Sequence, residues 1–137
     1  MTAKEYLTNI SRMDEEIKLL EDEILETQTR LTHITPILSD MPTAHGGADK
    51  MINGIIKMVD LKTKLNAAVD RYVDHKNEAL DIIDKIENQT YRMILMGRYC
   101  KRKSFELIST EINYSYFRSC RMHGEALKEF SRLQDGK

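Results

Sequence analysis

The sequence predicts an all-α protein: a long antiparallel two-helix coiled-coil stalk followed by a small three-helix domain of helix-turn-helix type. Three observations carry that expectation. A strict heptad stripe runs through the first 34 residues, a second apolar-periodic stretch follows one break rich in Pro and Gly, and near residue 90 the chain changes to short, basic, tyrosine-bearing segments. With only two prolines and six glycines in 137 residues, little interrupts helices, and 31% charged with 41% hydrophobic residues suits long amphipathic ones.

The first helix is expected over about residues 3–34. Thr2 and Glu5 have the spacing of a capping box, and Tyr6, Ile10, Met13, Ile17, Leu20, Ile24, Thr27, Leu31 and Ile34 recur at alternating intervals of four and three. Asp14, Glu15, Glu21, Asp22 and Glu26 lie off that seam. Such a helix is about 50 Å long at 1.5 Å per residue, and its stripe stays exposed unless a partner helix covers it. Residues 35–48 hold both prolines and the adjacent Gly46 and Gly47, and read as a loop. Asp49 is a candidate N-cap for a second helix over about 49–87. Its apolar residues, Ile52, Ile55, Ile56, Val59, Leu65, Val69, Tyr72, Val73, Leu80, Ile83 and Ile86, fall on more than one face, with Lys62 and Lys76 interrupting one of them. The loop is long enough to reverse the chain, which makes an antiparallel pair the economical arrangement. Whether the hairpin closes on itself or is shared between two copies stays open; a homo-oligomer joined through the stalk is expected. These elements make a first domain of residues 1–89 and a second of 90–137.

The net charge of −1 hides an asymmetry: residues 1–90 carry net −6 and residues 91–137 net +5. A basic end favours an anionic partner, because neutralising phosphates releases counterions, although a solvated basic face is the plainer alternative. No stretch nears the roughly 18 apolar residues of a membrane span, and the N-terminus lacks the apolar core of a signal peptide, so a cytoplasmic protein without membrane contact is expected. Cys100 and Cys120 lack C-x-x-C spacing and read as reduced thiols. No metal, cofactor or catalytic site is expected, since no Walker loop, nucleophile elbow or metal-binding motif is present.

In the second domain, Tyr91, Ile94, Leu95, Arg98 and Tyr99 mark one helix face, followed by the basic run Lys101, Arg102 and Lys103. Ser104 can cap a short helix with Phe105, Ile108 and Ile112 inward. Asn113 tolerates left-handed geometry, and Ser115 can cap a last helix that buries Ser119, Met122, Ala126, Phe130 and Leu133. Two helices joined by such a turn suit a major groove about 12 Å wide, which admits one helix. His123, one turn after Cys120, reads as a packing or phosphate-contacting residue rather than a metal ligand.

The run LMGRYCKRKSFELISTEINYSYFRSCRMHGEALKEF resembles the fourth region of primary-type sigma factors over about 45 residues. The whole chain more loosely resembles phage and prophage transcriptional regulators of Gram-positive bacteria with a sigma-like C-terminal domain. The resemblance implies that Glu106–Ile112 supports, that Ser115 begins the recognition helix, and that Tyr116, Phe117, Cys120 and Arg121 sit where bases are read. Sigma factors favour charged residues at the positions of Tyr116 and Phe117, so a different target is implied. The expected DNA-binding set is Lys101, Arg102, Lys103, Ser115, Tyr116, Phe117, Arg118 and Arg121, with double-stranded DNA as the partner. Because the sigma region also binds proteins, the alternative is a non-enzymatic interaction or assembly module whose small domain binds RNA polymerase or another protein.

Overall fold

A computed structural model describes residues 1–40 and 45–136, and side-chain surroundings for residues 1–33 and 48–136. Every regular element among them is helical: α1 (Ala3–Asp40), α2 (His45–Asp84), α3 (Gln89–Leu95), a π-helical turn (Met96–Cys100), α4 (Phe105–Ile112) and α5 (Tyr116–Asp135). Both long helices enter the stretch expected as a loop, α1 to Asp40 and α2 from His45, so Asp49 lies inside α2 rather than capping it. A nucleated helix propagates through poor helix formers near its end more easily than a new one starts. The centre of the expected loop, residues 41–44, lies outside the described residues. The capping box forms as expected: the Glu5 N–H donates to Thr2 Oγ1 (3.1 Å) and the Thr2 N–H to Glu5 Oε2 (3.2 Å).

The chain divides into two compact units, residues 15–71 and residues 1–14 with 72–137. In the first, Glu23 meets Lys57 at 3.0 Å and Glu16 meets Arg71 at 3.8 Å, and Leu31 lies beside Gly54, so α1 and α2 run antiparallel. The α1 seam is the expected one, with Ile17 and Thr27 buried and Leu20 and Ile24 half-buried. The buried Thr27 hydroxyl donates to its own helix at the Glu23 carbonyl, 2.9 Å away. The inward seam of α2 differs from the expected one: Met51, Gly54, Met58, Leu61, Leu65 and Ala68 are buried or half-buried, while Ile52, Ile55, Ile56 and Val59 are exposed. Gly54 permits close approach, since a Cβ there would stand 2.5 Å from Leu31 Cδ2.

In the second unit one core joins Leu7 and Ile10 of α1, Ala79, Ile82 and Ile83 of α2, the following Ile86, and Leu95, Tyr99, Ala126 and Phe130. The C-terminal helices thus share their core with the ends of the long ones. Tyr6 and Phe130 pack at a centroid separation of 5.9 Å, and Ser11 Oγ donates to the Tyr99 carbonyl (2.9 Å). Arg92 donates to the Ile86 carbonyl and to that of Glu87 (3.0 Å), tying the end of α2 to α3, whose N-cap is Asn88. α5 packs on α3 and α4. Its Ser119, Ala126 and Phe130 are buried and Met122 and Leu133 half-buried, in the expected register.

Candidate nucleic-acid interface

The α4–α5 connection is three residues, and each has a local cause. Ser104 Oγ accepts from the Leu107 N–H (3.2 Å) and starts α4. Asn113 ends α4 in left-handed geometry (φ 61°), a conformation Asn adopts at less cost than most residues. Ser115 is extended, and its Oγ accepts from the Arg118 N–H (3.2 Å), capping α5. The Ser115 carbonyl also accepts from the buried Ser119 hydroxyl at 2.8 Å. The buried Ser119 hydroxyl is therefore satisfied within its own helix.

The first turns of α5 present Tyr116, Phe117, Arg118 and Arg121 to solvent. Phe117 is 82% exposed and meets Tyr116 edge to face, centroids 5.8 Å apart. The Arg118 guanidinium lies 4.9 Å over the Tyr114 ring, which holds its flexible stem beside the connection. Tyr114, Ser115, Phe117, Arg118 and Arg121 line an open groove of about 550 Å³, which also touches Tyr91 and Glu125. The Tyr91 hydroxyl donates to Glu125 Oε2 at 2.7 Å, and that bond pushes its pKa up. Ser115, Phe117, Arg118 and Arg121 thus line one groove, and Tyr116 lies against Phe117 outside that lining.

The three residues of the basic run differ in their surroundings. The π-helical turn ends with the Lys101 N–H on the Met96 carbonyl (3.0 Å), and Arg102 follows in left-handed geometry (φ 54°). Arg102 Nε lies 3.6 Å from Asp14 of α1, and Lys103 Nζ lies 2.9 Å from each carboxylate oxygen of Glu111. Lys101 is exposed, and Arg102 and Lys103 are half-buried. Neither pairing was legible in the sequence, because Asp14 is remote along the chain and the left-handed residue redirects the run.

Arg98, read as part of a packing face, does more. Its guanidinium covers Phe105 at 4.6 Å and donates to the Lys103 carbonyl (3.2 Å). His123 packs between Tyr99 and Phe105, centroids 5.7 and 5.0 Å away, with Nε2 2.7 Å from the Tyr99 hydroxyl. Burial, reinforced by the positive charges of Lys4 and Arg98, pushes its pKa down to about 4, so it is neutral at physiological pH. Burial likewise raises the Cys100 thiol. Among the described residues no three His, Cys, Asp or Glu side chains gather as metal ligands, and no helix is long and apolar enough to cross a membrane.

No family model and no solved structure matches the chain. It is similar to a protein of Enterococcus hirae named "Putative autolysin regulatory protein ArpU", with 33% identity over 99 residues. The match covers 71% of this chain and 64% of that protein, so the chain spans less than two thirds of its relative's length. The all-helical chain therefore has a distant relative that is named as a regulatory protein.

Proposed function

We propose that the protein is a sequence-specific, DNA-binding transcriptional regulator of phage or prophage origin, with a sigma-like helix-turn-helix at its C-terminal end. The coiled-coil hairpin of α1 and α2 joins copies into a homo-oligomer. The observation that carries this reading is the tight α4–α5 connection, which leaves the start of a capped 20-residue helix exposed with Arg118 and Arg121 on it. A helix N-terminus favours phosphate through its unpaired N–H groups and dipole, while arginine side chains reach base edges. Arg118 and Arg121 supply contacts at the groove and Lys101 a phosphate contact. Tyr116 and Phe117 are placed to meet thymine methyls, and Ser115 fixes the helix start. Arg102 and Lys103 support the turn beside this surface. No chemistry follows binding. The excess of basic charge in residues 91–137 and the likeness to a named regulator support the same reading.

A gel-shift series on genomic fragments at low salt tests it. Retention at micromolar protein that weakens steeply with added salt is expected; no retention at any salt sinks the reading. One observation favours a second reading, in which this surface binds RNA polymerase or another protein: the exposed Phe117 (82%) and Tyr116 meet edge to face, an aromatic pair suited to a protein contact. Affinity for a partner that depends on Phe117 but hardly on salt selects that alternative.

A further inference from the structure

α2 carries a second apolar-bearing stripe besides the one that α1 covers. Positions 51, 54, 58, 61, 65 and 68 form the inward seam of the 15–71 unit. Positions 52, 55, 59, 62, 66 and 69 repeat the same alternation of three and four, one residue out of phase, and face solvent. Ile52, Ile55, Ile56 and Val59 are each about half exposed (55, 48, 55 and 58%). A helix with two heptad seams belongs in a bundle of more than two helices, because each seam is stable only when covered. In this unit α1 already occupies the first seam, and among the described residues the unit has no third helix.

We propose that a second copy of this chain covers the outer seam, α2 against α2, as a symmetric antiparallel pair centred on Asn66. Three features select a copy of the chain itself. Lys62 and Asn66 are the polar residues inside the seam, and the Asn66 carboxamide, with both donors and an acceptor, is complementary to its own image. A two-fold axis at Asn66 sets Lys62, four residues before it, level with Asp70 of the second copy, four residues after it, and the reverse contact repeats. Parallel pairing would instead set Lys62 against Lys62 and Asp70 against Asp70, which like charges oppose. About the same axis Val59 lies level with Val73 of the second copy and Ile52 with its Leu80, and these pairs supply the apolar remainder. The inference deepens the oligomer named under the proposed function and is independent of what α5 binds.

Sedimentation of the full chain over a range of about 1 to 100 μM is expected to show a concentration-dependent monomer–dimer equilibrium. Val59→Asp, exposed within one protomer, should keep the helix content by circular dichroism and raise the dimer Kd about tenfold or more by burying an unpaired charge. Lys62→Glu should weaken the dimer, and the double change Lys62→Glu with Asp70→Lys should restore it. A chain monomeric throughout, or a dimer indifferent to Val59→Asp, overturns the proposal. A dimer indifferent to Lys62→Glu overturns the antiparallel pairing. Gel shifts read DNA separately, so a stable dimer that retains no DNA removes the DNA reading alone.

Discussion

His123 shows how a single side chain ties burial to pH. Its pKa is held near 4 when folded and returns toward 6.5 in the unfolded chain, so between those values the unfolded state binds more protons. Stability is therefore expected to be unaffected by this residue above about pH 6.5 and to fall as pH drops toward 4. Because the ring is only partly buried, a loss of about 1–2 kcal/mol is expected after allowing for solvent screening. Urea denaturation at several pH values measures it, and His123→Gln should flatten that limb. Gly124 sits in α5 with nothing within 4 Å of where a Cβ would stand. Gly124→Ala is expected to stabilise the fold by about 0.5–1 kcal/mol, read as a rise in Tm, since the helix loses a flexible interior residue and meets no clash. At the proposed interface, Arg121→Ala should weaken DNA binding by about 1–3 kcal/mol if it reads a base, without lowering Tm. Lys101→Ala should weaken binding evenly across sequences and lower the salt slope by about one, both measured by fluorescence anisotropy.

At the scale of the element, what the sequence revealed was what local chemistry decides. Thr2 with Glu5, Ser104, Asn113 and Ser115 each act within four residues of themselves, so their caps and turn were readable, and the α5 register followed from them. Two features were hidden for physical reasons. The inward seam of α2 joins Leu61 and Leu65 to Met51, Gly54, Met58 and Ala68, soft or small side chains with little hydrophobic signal, beside an Ile/Val-bearing stripe that faces out. The pairings of the basic run were hidden because its partners Asp14 and Glu111 and the left-handed Arg102 are set by tertiary packing. The α5 cap also gives an element-scale test. Ser115→Ala is expected to cost about 1 kcal/mol, because the Arg118 N–H loses its acceptor at the helix start. Thermal unfolding checks this, and the same variant should weaken DNA binding by more than its stability loss if the first turn of α5 docks on phosphate.

At the scale of the whole molecule, the division of the core matters most. The sequence places a boundary at residue 90, where composition and charge change, yet Phe130 and Tyr99 share a core with Leu7, Ile10, Ile82, Ile83 and Ile86. Composition and charge change at residue 90, while the core continues across it. Fewer than about 50 residues rarely bury enough apolar surface to fold alone, and α3 to α5 without the long-helix ends would expose Leu95, Ala126 and Phe130 together. A fragment of residues 90–137 is therefore expected to show weak helicity and no cooperative thermal transition by circular dichroism. Residues 72–137 mixed with a peptide of residues 1–14 should regain a transition that Phe130→Ala, at a cost of about 3–5 kcal/mol, removes. A 90–137 fragment that melts cooperatively on its own would instead restore the boundary at residue 90 and make the ends of α1 and α2 a dispensable platform.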